Sequence, residues 1–554
     1  MTIDQKPKTA QPEPGEARRG WAGPGVGAAV GLLVVAVALA FGQLVADFVS
    51  GDAAPVIAVG QVVVDRSPEW LKSFAIRTFG AHDKPVLVGG IVIVLIVLAA
   101  VMGVIATRHR WVGFAAISVL GALGMFAALS RAESDAAWAL PSLAAVAVGC
   151  IAYSVLSRAA ASAYAEPAAG PSPSSSTDDD DAAAATDSGA LVATESPSGL
   201  ARRRFLIAAG VTALGAAFAA GIARAARSRL LAGSVSRATV TIPPPASPAP
   251  TLPPAAAIHV PGVSPFYTPV DSFYRVDTSL FPPQIAASQW HLRIHGMVDR
   301  EIVLSYDELL RRPLIERDVT LACVSNPVGG HYIGNARWVG TLLAPLLQEA
   351  GVHPEAQQLL SRSPDGMTIG TPTAVVMDGR DAMLAVSMNG EPLPVEHGFP
   401  VRTVVPGLYG YVSATKWVVD MELTTFAAYD AYWVQQGWAQ QGPIRTQSRI
   451  DVPRNGSHVS AGTVPVAGIA WAQHTGIAGV QVRVDGGPWH QARLSQLDTL
   501  DTWRQWVYDW EATAGKHQVQ VRATDDSGYT QTAREAPPFP SGATGWHTVD
   551  VSVG

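Results

Sequence analysis

Hydrophobic and polar positions divide the chain into two halves with different rhythms. In the first, five apolar runs at 25–46, 86–106, 111–130, 137–157 and 205–223 are nearly free of charge. Each approaches the about 20 helical residues that cross about 30 Å of hydrocarbon, which predicts four transmembrane helices within 25–157 and a fifth at 205–223. In the second half the period changes. Strand-like pieces such as WHLRIHGMV mix with helical ones such as SYDELLRRPL and GTLLAPLLQEAG, which predicts an α+β domain over 258–430. Ser305, with Glu308 three residues on, forms a capping box at a helix start. From 431 to 554 short alternating runs follow one another: TVPVAGIAWAQ, GVQVRVDGGPWHQARL, TWRQWVYDWEA and HQVQVRATDDSGYTQT. With Asp485-Gly486-Gly487 as a tight turn, they predict an all-β sandwich.

Between these blocks lie polar tracts. Residues 158–204 are rich in Ala, Ser, Pro and Asp, including Asp178 to Asp181, and bury too little to order themselves. The proline-rich stretch 224–257 predicts an extended spacer. Charge then sets an orientation. Lys6, Lys8, Arg18 and Arg19 in the tail 1–24, Arg108 and Arg110 between the second and third runs, and Arg158 after the fourth mark the cytoplasmic side. Everything after the fifth run is therefore expected outside the cell membrane. Arg202 and Arg203, followed by Phe205 and Leu206, resemble a twin-arginine export signal, and an ordinary cytoplasmic anchor of positive charge is the alternative.

Composition narrows the function. A hydrophobic content of 48% against 15% charged residues suits a membrane protein with a soluble part, and a net charge of −6 without a basic aromatic face excludes nucleic acid. No histidine lies inside any of the five runs and no Cys-x-x-Cys-His tract occurs, so no haem is expected in this chain. Few ionisable groups fall within the runs, which argues against a transporter. Only two cysteines are present, Cys150 in an apolar run and Cys323 in TLACVSNPVGG, so a four-cysteine metal site is impossible. A solitary Cys323 can be a small buried hydrophobe, a nucleophile or a soft ligand to a metal held mostly by other groups.

Several segments around Cys323 occur in a telling order. TPVDSFYRVDTSLFPPQI, WHLRIHGMVDREIVLSYDELL, TLACVSNPVGGHYIGNARWVGTLLAPLLQEAGV and MNGEPLPVEHGFPVRTVVPGLYGYVSATKWVVDMEL, then PIRTQSRIDVPRNG and AGIAWA, resemble the sulfite oxidase family of molybdenum enzymes over about 260–554. The resemblance implies a multi-domain chain: an N-terminal transmembrane bundle, a molybdopterin-binding domain and an immunoglobulin-like β-sandwich of the type the family uses for dimers. It implies a molybdenum–molybdopterin cofactor, with Cys323 as both catalytic residue and metal ligand. Tyr274, Arg275, Asp277, Asp365, His397, Arg402 and Lys416 match or lie near cofactor-binding positions, Asp277 standing where the family has a histidine. Tyr429 and Tyr432 fall roughly where the family keeps an active-site tyrosine. Sulfite oxidases follow their cysteine with an arginine-rich stretch, whereas no arginine lies between Cys323 and Arg337. The expectation is a multi-pass, membrane-anchored, extracytoplasmic oxidoreductase moving an oxygen atom to or from a small substrate. Its electrons would be exchanged with a separate redox protein or a quinone-linked subunit, and homodimers would form through the sandwich. A sulfoxide reductase on the same scaffold and a non-enzymatic cell-surface binding module are the alternatives.

Overall fold

The computed structural model describes residues 22–68, 83–131, 134–164, 197–230, 232–279 and 282–554. The tail before residue 22 and the central part of the 158–204 segment lie outside the described residues, as does the side chain of Arg202. The chain divides into two units, Met1–Arg227 and Ser228–Gly554.

Among the described residues five helices are long and apolar enough to cross a membrane: Pro24–Val49, Asp83–Ala106, Arg110–Leu129 and Leu140–Tyr164 in the first unit, and Pro197–Leu230, most of which belongs to it. Pro55–Arg66 adds a shorter helix that the hydropathy pattern did not separate from its flanks. Its N-terminal Pro55 has no N–H to lose and a φ already helical. Small residues set the closest helix approach. A Cβ on Gly31 would lie 2.1 Å from the Ala99 carbonyl oxygen, and one on Gly103 would lie 2.2 Å from that of Gly27. Backbones can meet this closely only where side chains are missing. Beside them Val30, Val34, Tyr153 and Leu156 form the buried seam of the bundle.

The second unit opens with the helix Ala232–Thr239. Residues 242–253 then run extended, as proline demands, but not as a free spacer, and Pro254–Ala256 closes them with a 3-10 turn. Ser247 donates to the Leu314 carbonyl and accepts from Glu316 N–H, at 3.2 and 2.8 Å. An extended proline-rich chain makes no hydrogen bonds of its own, so it can cover a sheet edge instead.

Ten strands make the first domain: β1 (His291–Gly296), β2 (Ile302–Ser305), β3 (Leu314–Ala322), β4 (Ile333–Leu342), β5 (Gln358–Arg362), β6 (Thr368–Pro372), β7 (Met383–Met388), β8 (Glu391–Pro392), β9 (Arg402–Val404) and β10 (Asp420–Thr424). One sheet has the order β2-β1-β10-β5-β6 and the other β3-β4-β7-β8, with β9 on β7. In β1 burial alternates, Leu292 and Ile294 facing in, as the period-two pattern requires. In β7 every residue is buried, which fits an apolar run broken only by Ser387, whose hydroxyl donates to the Glu391 carbonyl at 2.7 Å. The capping box forms as read: Glu308 returns its carboxylate to Ser305 N–H at 2.8 Å at the start of Tyr306–Leu310. The helix Leu343–Ala350 stops at Gly351, whose φ of 71° closes its C-terminus.

Two further sheets complete the chain, β11-β13-β17-β16 and β12-β19-β18-β14-β15. Their strands are β11 (Gln447–Val452), β12 (Ser457–Val459), β13 (Gly462–Trp471), β14 (Ile477–Val484), β15 (His490–Gln491), β16 (Arg493–Leu494), β17 (Arg504–Ala512), β18 (Gly515–Asp525) and β19 (His547–Val553). Val480, Val482, Trp506, Val519 and Val521 fill the space between them. The two domains of this unit share packing, since Ile469, Trp471 and Trp503 join the first domain's core. They also grip β3 directly: Thr320 N–H donates to the Asp501 carbonyl at 2.9 Å, and Thr320 Oγ1 accepts Trp503 N–H at 2.8 Å.

Trp338, fully buried in β4, donates Nε1–H to the Val319 carbonyl at 3.1 Å and so ties β4 to the strand that delivers Cys323. Trp338→Ala is expected to lower stability by about 3–5 kcal/mol, against about 1 kcal/mol for Ser305→Ala. Urea unfolding followed by near-UV circular dichroism checks the contrast.

Candidate functional site

Cys323 follows the last residue of β3 and is buried. Its N–H donates to the Tyr332 carbonyl at 2.9 Å, and its own carbonyl accepts Asn326 N–H at 3.1 Å. Asn326 Oδ1 accepts Tyr332 N–H at 2.9 Å and closes the loop between β3 and β4. The thiol is thus held by backbone at the mouth of a hairpin, and neither cysteine forms a disulfide.

Two buried phenols sit close enough to the thiol to feel its charge. Burial, and then Cys323, push the Tyr274 phenol far up, with Arg402 opposing. Tyr409 is raised to about 12, by burial first. Both stay protonated at physiological pH and can donate. Tyr274 also stacks on Phe273 with ring centroids 5.3 Å apart.

Next to Tyr274 lies a cluster of cations. Arg402 opens β9 and is only 5% exposed. Its guanidinium lies 5.1 Å over the Trp338 ring and donates to the carbonyls of His397 and Thr403, at 3.1 and 3.4 Å. Among the described residues no carboxylate pairs with it. Burial pulls it down to about 10 in spite of Tyr274. Lys416 is drawn down to about 8, chiefly by burial and further by Arg402 and Arg275, against the pull of Asp277. Asp277 Oδ2 accepts from both Arg275 Nε and Lys416 Nζ, each at 2.8 Å. His397 closes the turn Val395–His397 and is held down to about 3, by burial first and then by Arg402 and Lys416. The imidazole is therefore neutral.

Glycine makes this convergence possible. Gly398 has a φ of 110°, and a Cβ there would stand 3.0 Å from Arg402 Cβ and 3.1 Å from Lys416 Cα. Trp417, one residue beyond Lys416, holds a φ of 54° that a bulky side chain rarely adopts. It is anchored by its indole, which donates to the Val395 carbonyl at 2.8 Å. Asp365 is buried in the turn between β5 and β6, where its Oδ1 accepts from Ser363 Oγ and, at 3.3 Å, from Met367 N–H. Thr278 Oγ1 reaches Met367 Sδ at 3.7 Å, which brings that turn beside the Arg275–Asp277 segment.

Of the residues singled out in the sequence, the structure gathers Tyr274, Arg275, Asp277, Cys323, His397, Arg402 and Lys416 into one neighbourhood and sets the Asp365 turn at its edge. Tyr429 is placed differently, its ring 5.7 Å from the guanidinium of Arg362, which pairs with Asp420 and Glu422. Tyr432 stacks edge-on against Trp433, centroids 5.1 Å apart, and its N–H donates to Thr368 Oγ1 at 3.0 Å. The residues missed were Tyr409 and Trp338. A tyrosine in PGLYGY and a tryptophan on a buried strand read as core, and no local signal separates them from it.

Buried Arg402, the largely buried Lys416 and the half-buried Arg275, with Asp277 shared between the last two, suit an anionic ligand, since a desolvated positive excess is costly until it is countered. Phosphate on a pterin is such an anion, and a buried thiol is a soft ligand for a transition metal. The residues present therefore fit a molybdenum–pterin group.

Two pH effects follow for the full chain without cofactor. His397 takes a proton at 6.5 when unfolded but only near 3 when folded, so stability should fall as pH drops below 6.5 and the His397→Gln variant should lose part of that slope. Lys416 releases its proton near 8 when folded and 10.5 when unfolded, so the unfolded state binds more protons between those values and stability should rise with pH there. Lys416→Met should remove that rise. Thermal melts across both windows measure the slopes.

Comparison with known proteins agrees with this chemistry. The family model described as the oxidoreductase molybdopterin binding domain matches residues 279–433, a span that holds Cys323, Asp365, His397, Arg402 and Lys416. Sulfite oxidase of Gallus gallus is 31% identical over 325 residues, covering 49% of this chain and 69% of that protein. Mitochondrial sulfite oxidase of Mus musculus is 30% identical over 323 residues, and the chain spans 59% of its length. An uncharacterized oxidoreductase, YuiH, of Bacillus subtilis (strain 168) is 30% identical over 171 residues, 31% of this chain and 83% of that one. The sulfane dehydrogenase SoxCD from Paracoccus pantotrophus is similar in structure with a TM-score of 0.47 and 25% identity, over 55% of this chain and 86% of that chain. The chain belongs to the sulfite oxidase family of molybdopterin-dependent oxidoreductases.

Proposed function

We propose that this protein is a membrane-anchored molybdenum oxidoreductase whose catalytic unit works outside the cell membrane, moving an oxygen atom to or from a small substrate. The observation that carries the reading is the buried Cys323 thiol in the same domain as the Arg275–Arg402–Lys416 cluster. When bound, the cofactor supplies the two-electron redox change and the oxygen transfer. The chain supplies the rest. Cys323 provides a thiolate, which must be deprotonated to ligate. Arg402 and Lys416 hold the anionic end, with neutral His397 between them accepting or donating without adding charge. Tyr274 and Tyr409 would act near the thiol as neutral donors. Electrons would leave or arrive one at a time through a separate redox protein or a quinone-linked subunit.

The five apolar helices support anchoring, and the arginines flanking them support a cytoplasmic N-terminus with twin-arginine export of a folded, cofactor-loaded unit. The C-terminal sandwich is read as immunoglobulin-like and as the surface through which two copies would associate.

A second reading, reduction of a sulfoxide, draws on one observation. Two neutral phenols, Tyr274 and Tyr409, interact with the thiol, and Arg337, the next arginine along the chain, is engaged by Asp318 at 2.7 Å. Such surroundings suit a neutral sulfur–oxygen group better than a dianion, whose desolvation needs local positive charge.

Protein made in a host that supplies pterin should contain stoichiometric molybdenum by elemental analysis. Turnover of sulfite with ferricyanide, set against methionine sulfoxide with a reduced viologen dye, separates the two directions. Cys323→Ala should abolish either turnover with little change in melting temperature. Metal-free, well-folded protein or full activity in that variant overturns the proposal.

A further inference from the structure

The loop that carries Cys323 is fixed at one end by its own backbone and at the other by a different domain. Its tip, Pro327 to His331, faces β11 and β19 of the sandwich. Arg449 on β11 donates Nη1–H to the Gly330 carbonyl at 2.7 Å. The same guanidinium donates Nη2–H to Ser264 Oγ at 2.8 Å and Nε–H to Asp451 Oδ1 at 2.7 Å. The Arg449 and Asp451 side chains are 5% and 6% exposed, so this is a desolvated pair with its donors spread over three chain segments. Lysine could not do this, since an ammonium has no planar fork.

His547 on β19 completes the clamp. Its Nδ1 accepts Ile450 N–H at 2.9 Å, which fixes the ring, and the ring occupies the place of a side chain on Gly329. A Cβ there would lie 2.3 Å from His547 Cδ2 and Nε2. Gly329 also has a φ of 74°, so both the space and the backbone of the loop tip are set by what the sandwich presents.

We propose that the C-terminal sandwich positions the metal-ligand cysteine, with Arg449 and His547 as positioning residues that hold the far end of its loop. The proposal rests on the reading of Cys323 as ligand. The mechanical link is short. Gly330 lies two residues before Tyr332, whose carbonyl receives the Cys323 N–H and whose N–H is held by Asn326. Release of Gly330 loosens Tyr332, and with it the backbone that orients the thiol. The residues that bind the cofactor lie in the first domain, yet the geometry of its one protein sulfur would depend on the second.

The thiol itself reports the effect without any cofactor. In full-length, cofactor-free protein carrying Cys150→Ser, Cys323 is the only thiol, and its rate of maleimide labelling measures how often the loop opens. Arg449→Gln and His547→Ala should each speed labelling roughly tenfold or more, as loss of a buried hydrogen bond to a charged or oriented group implies. His547→Asn, whose Oδ1 can stand in for Nδ1, should label near the native rate. Arg449→Lys, with charge but no fork, should fall between. If Arg449→Gln does not fold, Ser264→Ala and Arg449→Lys decide the matter, since each leaves the charge in place. Native labelling rates in folded variants, or equal acceleration by His547→Asn and His547→Ala, would sink the proposal. Neither outcome depends on the molybdenum content of the unaltered protein, which tests the cofactor reading separately.

Discussion

Everything about the site turns on Arg402, a buried guanidinium that meets no carboxylate among the described residues. A protein keeps such a charge out of water only where something else will counter it, or where aromatic faces and carbonyls hold it meanwhile. Here the Trp338 ring and the carbonyls of His397 and Thr403 do the holding. Burial chiefly keeps His397 neutral and lowers Lys416, and the field of Arg402 adds to both effects. Asp277 tempers this field without cancelling it, because its Oδ2 is divided between Arg275 and Lys416.

That electrostatic centre is assembled from distant parts of the chain. Arg275 and Asp277 come from the irregular segment ahead of β1, Cys323 from the end of β3, His397 and Arg402 from either side of Gly398, and Lys416 from the approach to β10. The sheets bring these pieces together through backbone pairing that does not involve the site residues' side chains. β3 itself is bound along one flank by β4, at Thr320 by the sandwich, and at Ile315 and its neighbours by the extended segment around Ser247. The strand delivering the thiol is among the most constrained in the molecule.

Much of this was legible beforehand, and for physical reasons. Long apolar runs have few alternatives to a helix, so the five long helices could be read from hydropathy alone. Ser305 and Glu308 announced a helix start because the capping box is a local pattern. The alternation in GVQVRVDG and HQVQVRATD survived as β14 and β18 because period-two burial depends only on neighbouring residues. What failed to show was whatever depends on a partner far along the chain. The 242–257 stretch has the composition of a spacer, and only the exposed edge of β3 makes it a strap. Pro55–Arg66 did not stand out because its apolar stretch is too short to cross a membrane. Tyr409 looked like core, and its importance comes entirely from where the 405–412 loop passes Cys323. The order of aromatics along the chain could not show that the Tyr429 ring meets the Arg362 guanidinium, a contact made by residues far apart in sequence.

Trp417 places a final condition on the chain. Its backbone, at a φ of 54°, is one that glycine would adopt without strain, while its indole must reach the Val395 carbonyl and lie under the Lys416 ammonium, 5.0 Å from the ring. No single amino acid satisfies both demands in full. Mutational tolerance at this position should therefore be narrow in an unusual way: the change that relaxes the main chain most is also the one that sets the neighbouring lysine adrift.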